Sequence, residues 1–380
     1  MDATTTATEP AVAEGQWEAI HIFYASDPKP LLGECVAPLV EDLRERGLLA
    51  RYFFINYWLE GPHVRLRLKP ITEEAAPEVR RIAEEAIDAF LARRPALYEV
   101  DEDFLTGFYD DMFRLEYSEE ERVARYGTEG RMPLRPNNTR HYIEYEPEYD
   151  KYGGPHGVEL AEWHFEHSSD LVLRLIDRAN LHLRPSTLGI ATQLMTIMSI
   201  SFLADRTRVA DFMVRYHHFW HDWFKLSTGQ RDTAYQENYA EVAEDLRRRF
   251  DEIFTAITEN RPDRLTGFSQ SWAEHCALLR ERVVDHAERG LLVFPRADGG
   301  RAWPAAGADV RREPVTDPAV ALRILLTPYM HMTNNRLGAN VVDESYLSYL
   351  LLRSLREDEP SSGDEPSSEE ASMNATADRR

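Results

Sequence analysis

The sequence predicts an α+β fold, in which early antiparallel strands pack with a predominantly helical second half as a single compact unit. Runs rich in aromatic and β-branched residues, which are typical of strands, are concentrated before residue 150. From about residue 158 onward, apolar residues recur every three to four positions, which is typical of helices. No internal repeat or linker divides the 380 residues, of which 43% are hydrophobic, so one sizeable core is expected.

Strand and helix patterns alternate through the first half of the chain. The run WEAIHIFY is aromatic and β-branched and ends at a Ser-Asp-Pro turn. Two further runs, RYFFINYW and HVRLRLK, are separated by four residues that include Gly61 and Pro62, and this spacing predicts a hairpin. The predicted elements are a strand at 17–24, a helix at 30–49, strands at 51–58 and 63–69, a helix at 72–94 and an extended segment at 140–149.

The second half is a succession of helical segments and one long loop. The helices are predicted at 158–178, 184–203, 207–225, 232–257, 268–289, 316–332 and 343–356. Residues 293–314 are rich in Gly and Pro, and we expect them to form a surface loop. Residues 1–15 and 357–380 carry few large apolar side chains, so both ends are predicted to be disordered around one domain at 16–356.

Composition narrows the class of protein. The net charge is −22, and a surface that negative repels phosphate backbones, so direct binding of nucleic acid is not expected. The two cysteines, Cys35 and Cys276, form no CxxC pair, which favours a reducing cytoplasm and no cysteine-based metal site. We find neither an N-terminal secretion signal nor an uninterrupted apolar window of roughly 20 residues, so no membrane span is expected.

The segment His63–Lys69 carries a row of cations. Because side chains alternate along a strand, His63, Arg65, Arg67 and Lys69 share one face, and the apolar residues between them share the other. A cationic row is typical of a solvated outer face. It is equally typical of an anion pocket, because guanidinium groups bind carboxylates with two parallel hydrogen bonds. The pattern alone leaves both interpretations open.

Two further segments offer candidate site residues. Residues 144–154 are acidic and aromatic, include Glu148 and Lys151 and end in a Gly pair; alone they indicate an edge strand entering a loop. In the run YMHMTNNRLG, a helix would place His331 and Asn335 on one face and end at Gly338. A single histidine on a helix is more often structural than catalytic.

Metal and nucleotide sites lack support. His217 and His221 have the i,i+4 spacing of a metal pair, but the Glu of an HExxH motif is missing, and His164 and His167 form no better pair. The sequence contains no GxGxxG motif, Walker P-loop or GxSxG elbow. We therefore expect neither a metal nor a cofactor.

Four motifs in the same order resemble those of one family. The run FFINYW followed by GPHVRLR is similar to the "yFfiRYw…GpHlRlR" signature of the lantibiotic dehydratase C-terminal family, also called the SpaB C-terminal or thiopeptide-type bacteriocin biosynthesis family. YEPEYDKYGG is similar to its "YepEleRYGG", EWHFEHSSD to "aE.iF..dS", and HMTNNRL to "HMh.NRL". The resemblance covers about Trp17 to Leu355.

The resemblance implies a role in making a ribosomal peptide natural product. In full-length enzymes of the family, an N-terminal domain glutamylates Ser and Thr of a precursor peptide from glutamyl-tRNA. The C-terminal domain then eliminates glutamate and leaves dehydroalanine or dehydrobutyrine. By this resemblance the chain is a stand-alone elimination domain, a cytoplasmic carbon–oxygen lyase. Its implied partners are a precursor peptide with its leader and a separate glutamylating dehydratase subunit.

The resemblance also assigns roles. It implies that Arg65 and Arg67 bind the glutamyl group, that His331 is the acid/base, and that Glu148 and Lys151 complete the pocket. His63 and Asn335 are expected to add polar contacts to substrate. This agrees with the chemistry, because elimination needs a base for the Cα proton and cations for the enolate and the departing carboxylate. We therefore predict that Arg65, Arg67, Glu148, Lys151 and His331 converge in one cleft.

Two departures from the motifs keep an alternative open. Lys151 stands where the family has Arg, so the two-pronged carboxylate contact is lost there, and Asn56 replaces the Arg of "RYw". The same fold is known for pyridine synthases, which join two dehydroalanines by a formal aza-[4+2] cycloaddition and release the leader. A third interpretation is a non-catalytic subunit that binds the precursor peptide. Because Arg65, Arg67 and His331 are all present, the sequence favours elimination.

Overall fold

The computed structural model describes residues 15–97, 119–127, 132–223, 229–295 and 311–356. The predicted disordered segments at 1–15 and 357–380 lie outside these residues, apart from Gly15, whose backbone N–H donates to the carbonyl of Pro70. The described residues form two compact units. The sheet unit comprises those within Met1–Asp111, Met132–Glu146 and Leu173–Arg178, and the helical unit comprises the remainder. The predicted α+β class, with strands first and helices later, is confirmed.

The sheet unit is built on a four-stranded antiparallel sheet with strand order β2-β3-β1-β4. The strands are β1 (Glu18–Phe23), β2 (Leu49–Tyr57), β3 (His63–Pro70) and β4 (Thr139–Tyr142). The predicted hairpin is confirmed, because β2 and β3 pair from Tyr57↔His63 onward. Glu60 and Gly61 adopt positive φ angles of 64° and 115° in the connection, which lets the chain reverse.

Helices cover the apolar face of this sheet. They are α1 (Lys29–Leu31), a π-helical segment (Leu32–Val36), α2 (Ala37–Glu45) and α3 (Ala76–Arg93). Val64, Leu66 and Leu68 of β3 are at most 1% exposed, as strand alternation predicted. The ring of Tyr24, which follows β1, lies 5.7 Å from that of Phe90 in α3, so α3 packs on this side. The opposite side carries the charged row of β3.

The helical unit contains nine α-helices within the described residues, and a 3-10 helix (Pro262–Arg264). The α-helices are α4 (Glu119–Tyr126), α5 (Tyr149–Tyr152), α6 (Gly154–Arg178), α7 (Arg184–Leu203), α8 (Arg206–Trp223), α9 (Gly229–Thr258), α10 (Phe268–Glu288), α11 (Pro318–Leu337) and α12 (Val341–Leu355). The last turns of α6, Leu173–Arg178, group with the sheet unit. Gly338 ends α11 in the left-handed conformation with φ 86°, as its position predicted.

Helix α7 is central, because α8, α9, α10, α11 and α12 all contact it. Its length and apolar composition would also allow it to cross a membrane, but 78% of its apolar window is buried inside the protein. Helices that are apolar on all sides occur in the cores of large soluble domains as well as in membranes. The burial of α7 by its neighbours is that of a core helix.

Two expectations from the sequence are corrected. The sequence predicts an extended segment up to Tyr149, but Tyr149 begins the short helix α5, and the strand ends earlier, at Tyr142. The loop predicted at 293–314 contains a two-stranded sheet at its ends, β5 (Val293–Pro295) and β6 (Arg312–Pro314), and the residues between them lie outside the described part of the chain. Val293 donates its N–H to Gly153, so this small sheet is joined to α5 by a backbone contact that local composition does not encode.

Candidate functional site

The cationic row of β3 is not a solvated face. His63 and Arg67 are each 4% exposed, and Arg65 is half-buried. Strand pairing places His21 of β1 opposite Arg65 and Ala19 opposite Arg67. We call His21, His63, Arg65 and Arg67 the sheet-face cluster. Side chains alternate along each strand, and His21 pairs with Arg65, so all four side chains lie on the same side of the sheet.

Arg67 is held by an imidazole and an aromatic ring. Its Nη2 donates to Nε2 of His21 across 3.0 Å, and its guanidinium carbon lies 5.4 Å from the ring centroid of Tyr145. Burial, reinforced by the charge of Arg65, lowers the pKa of Arg67 to about 9, and Tyr145 opposes this fall. Its Nε is buried and has no hydrogen-bond partner among the described residues.

Arg65 is held in the same way by His63 and a tyrosine. Its Nε donates to Nε2 of His63 at 3.3 Å, and its guanidinium carbon lies 3.5 Å from the ring centroid of Tyr57. His63 in turn donates from Nδ1 to the carbonyl of Gly61 at 2.8 Å. These partners require the neutral imidazole with its proton on Nδ1.

Both histidines of the cluster are neutral at physiological pH. Burial, with smaller contributions from Arg65 and Arg67, lowers the pKa of His63 to about 3, although its bond to Gly61 opposes this. The pKa of His21 is depressed further, first by burial and then by Arg67. The imidazoles therefore hold the guanidinium groups without neutralising them.

The sheet-face cluster has the chemistry of an anion site. Within the described residues, no carboxylate forms an ion pair with Arg65 or Arg67, whereas most of the other arginines there have one. Two guanidinium groups beside each other repel, and burial raises the free energy of each charge. A bound carboxylate would relieve both effects by forming charge-assisted hydrogen bonds.

A second cluster, in the helical unit, surrounds His331. His331 on α11 is half-buried and donates from Nδ1 to Oε1 of Glu344 at 2.8 Å. Glu344 on α12 is fully buried, and its Oε2 accepts a hydrogen bond from the hydroxyl of Tyr216 on α8. The ring of Trp220 packs 4.8 Å from that of His331. This arrangement leaves Nε2 of His331 as the nitrogen available for acid/base chemistry.

The remaining predicted residues also lie in the helical unit. Asn335 follows His331 by one turn on α11. Lys151 is an α5 residue whose Nζ lies 3.2 Å from Oε1 of Glu148, and the Glu148 side chain is 60% exposed. Helix α5 contacts α11 through stacked rings of Tyr152 and Tyr329, 6.1 Å apart. The meeting of His331 with Arg65 and Arg67 around one substrate stays a prediction.

The other histidine pairs have structural partners. Nδ1 of His217 lies 2.9 Å from the carbonyl of Ser345, and the side chain of His221 is outside the described residues. His164 is fully buried, and its Nδ1 lies 3.0 Å from Nε2 of His275. No group of three or more His, Cys, Asp or Glu side chains suited to a metal ion occurs in the part of the chain that the structure describes.

Three residues of these clusters, His21, Tyr216 and Glu344, are not among the site residues that the sequence predicts. A signal for Glu344 was present: Leu347 and Leu351 follow it at i+3 and i+7, so the carboxylate lies on the apolar, core-facing side of a helix. His21 lies in an otherwise apolar strand run. The hydrogen-bond partners of these residues lie on other elements, so no local pattern could have identified those partners.

Solved structures similar to this chain include two of nearly the same extent. One is "Pyridine synthase, TbtD, from thiomuracin biosynthesis", with TM-score 0.65 and 19% identity over 89% of this chain and 97% of that chain. Another is "TsrL", with TM-score 0.59 and 17% identity over 89% and 94%. A third, the tRNA dependent lantibiotic dehydratase MibB from Microbispora sp. 107891, has TM-score 0.43 and 18% identity over 92% of this chain and 28% of that one. The likeness to the first two structures concerns the fold alone.

A search of curated proteins gives no match. The family described as "Lantibiotic biosynthesis dehydratase C-term" matches residues 17–355, nearly the interval over which the sequence motifs resemble it. The resemblance inferred from those motifs is therefore confirmed, and the chain belongs to the lantibiotic biosynthesis dehydratase C-terminal family.

Proposed function

We propose that the protein catalyses β-elimination of glutamate from glutamylated Ser and Thr of a precursor peptide. The observation that carries the proposal is the pair Arg65 and Arg67, which has no carboxylate partner among the described residues although Arg67 is only 4% exposed. The substrate brings carboxylates of its own, one on the glutamyl group and one that forms as it departs. Membership of a lantibiotic biosynthesis family supports the same assignment.

The proposed step balances without a cofactor. Nε2 of His331 takes the Cα proton of the esterified residue, and the electron pair moves into an enolate. The pair then forms the Cα=Cβ double bond as the Cβ–O bond breaks. Glutamate leaves as a carboxylate, which Arg65 and Arg67 bind, and the products are dehydroalanine or dehydrobutyrine. General-base catalysis of this type is worth roughly 10²–10⁴-fold in rate. One electrostatic contact to the developing charge is worth roughly 10²–10³-fold.

The remaining site residues have supporting roles in the proposal. His63 fixes Arg65 through the hydrogen bond at 3.3 Å. Glu148 and Lys151 complete the pocket, and Asn335 contacts the peptide. This mechanism requires the sheet-face cluster and His331 to meet one substrate, so the structure of a complex with a glutamylated peptide should place a carboxylate on Arg67 and the Cα near Nε2 of His331.

Partners follow from the reaction. The substrate is a precursor peptide with its leader, and a glutamylating, tRNA-dependent activity must supply the ester. The net charge of −22 disfavours direct binding of tRNA to this chain. Because glutamyl-tRNA and reduced cysteines belong to the cytoplasm, we place the activity there.

Pyridine synthesis is the second candidate. It is favoured by Lys151, which stands where the family motif has arginine. The ammonium group of Lys151 forms an ion pair with Glu148 and lacks the planar guanidinium that binds a carboxylate with two hydrogen bonds. In that reaction two dehydroalanines would join by a formal aza-[4+2] cycloaddition, with release of the leader. A solved pyridine synthase shares the fold, but a likeness of 19% identity does not extend to activity.

Mass spectrometry separates these functions. The protein is incubated with a glutamylated precursor and, separately, with a fully dehydrated one. Loss of one glutamate per modified residue supports elimination, and release of the leader from the dehydrated peptide supports pyridine synthesis. Binding of both peptides without any change in mass indicates a non-catalytic peptide-binding subunit and contradicts the proposal.

The acid/base role is tested by His331→Ala. We expect this variant to lose glutamate elimination while it still binds the peptide. The matched control is His167→Ala, because His167 is an exposed histidine of the helical unit whose Nδ1 lies 2.9 Å from the backbone carbonyl of Trp163 and whose ring stacks on that of His275. Unchanged elimination by His331→Ala would refute the assigned role.

A further inference from the structure

Glu344 is a carboxylate in an unusual environment. It lies on the apolar side of α12, is 0% exposed, and has no Lys or Arg partner among the described residues. Taking a carboxylate out of water costs several kcal/mol unless partners replace its hydration. Its side chain has two such partners in the described structure, Nδ1 of His331 on one oxygen and the hydroxyl of Tyr216 on the other.

The hydrogen bond between His331 and Glu344 fixes which nitrogen of the imidazole carries the proton. A carboxylate only accepts, so Nδ1 must be the donor across the 2.8 Å separation. Nε2 of the neutral ring then carries the lone pair. The Trp220 ring, 4.8 Å away, restricts rotation of the imidazole, and the Tyr216 bond restricts the carboxylate.

We infer that Glu344 is the positioning residue for His331, which rests on the proposed acid/base role of that histidine. Glu344 holds His331 in the Nδ1–H tautomer, so that Nε2 faces the Cα proton as a base. Once Nε2 has taken the proton, the Glu344 carboxylate stabilises the imidazolium that results. Tyr216 fixes the second oxygen and so keeps Glu344 aligned with the ring.

The first test is kinetic. Glu344→Gln keeps the size of the side chain and removes its charge, so we expect kcat for glutamate loss to fall by roughly 10–100-fold, while KM changes little. Asp343→Asn is the matched control, because Asp343 is a buried acid on the same helix that pairs with Arg184 and caps α12 without contacting His331. This control should keep its kcat. An unchanged kcat in Glu344→Gln would overturn the inference.

The second test is independent of catalysis. In protein with ¹⁵N-labelled histidine, we expect His331 of the wild type to show a single Nδ1–H tautomer. The double variant Tyr216→Phe/Glu344→Met replaces the polar pair with apolar side chains of similar size, a change that folded cores often tolerate. His331 should then become a tautomer mixture with more Nε2–H. A persistent Nδ1–H tautomer would refute the positioning role, even if the wild type eliminates glutamate. A wild type that shows the tautomer without eliminating glutamate would refute only the proposed function.

Discussion

Replacing Arg67 with methionine should stabilise the fold and abolish the activity. Burial and the neighbouring Arg65 lower the pKa of Arg67 to about 9. This value lies well below the ordinary pKa of a guanidinium group, and at about 1.4 kcal/mol per pH unit the charged form is disfavoured in the folded protein by on the order of 4–5 kcal/mol. At pH 7 the group is charged in both the folded and unfolded states, and this penalty is fully present.

The net gain is smaller than the penalty, because Arg67→Met also removes a hydrogen bond from a charged donor to His21, worth about 1.5–3 kcal/mol, and aliphatic contacts of the side chain. We expect the free energy of unfolding to rise by about 1–3 kcal/mol. The assay is urea unfolding at pH 7, with glutamate elimination measured on the same preparation. Elimination should be lost, because the half-buried Arg65 alone is left to bind the departing carboxylate.

Arg336→Met is the matched control for a buried arginine. Arg336 is 1% exposed, but it donates to Ser169 and to the carbonyl of Met332, and its guanidinium lies 4.4 Å from the ring centroid of Phe165. Removing it should destabilise the protein by about 2–4 kcal/mol. If Arg67→Met destabilised the protein as much as Arg336→Met does, Arg67 would be a structural residue and the anion site would be refuted.

Three further predictions concern stability. Burial lowers the pKa of His164 to about 3, so only the unfolded state takes up this proton as the pH falls below about 6.5. The free energy of unfolding should therefore decrease by about 2 kcal/mol per such histidine between pH 7 and pH 5. Calorimetry of His164→Phe should show a smaller decrease over the same pH range. Gly153→Ala should lower the free energy of unfolding by about 1–3 kcal/mol, because the φ of Gly153 is 88° and a Cβ there would lie 2.7 Å from Cζ of Phe294. The control is Gly189→Ala in α7, where a Cβ meets nothing within 4 Å, and it should be neutral or stabilising in the same unfolding assay. The hydroxyl of Tyr152 is buried without a partner among the described residues, so Tyr152→Phe should raise the melting temperature, and a fall would reveal a bond that this hydroxyl makes.

Much of the fold was predictable because local periodicity reports burial. The helix predicted at 184–203 is observed as Arg184–Leu203, and the alternation of β3 correctly placed Val64, Leu66 and Leu68 in the core. Local pattern could not predict the pairing of β5 with β6, since those strands are short and meet only through the tertiary fold. It also assigned Tyr149 to an extended segment, although helix α5 begins there.

The candidate site was predictable only in part. The sequence identified the cations of β3 and His331, but it did not show that His63 and Arg67 are buried, because His21 and Tyr145 reach Arg67 from other segments of the chain. Glu344 and Tyr216 were missed for the same reason, since their bonds to each other and to His331 join three helices. Side-chain partners set by tertiary packing leave no trace in local spacing.

The most direct test of the central claim is a mass measurement on a glutamylated precursor peptide incubated with the wild-type protein, His331→Ala and Arg67→Met. We predict that the wild type removes one glutamate from each modified residue and leaves a dehydro amino acid, while both variants leave the peptide glutamylated. A glutamylated peptide that binds the wild-type protein and keeps all its glutamates would contradict the account.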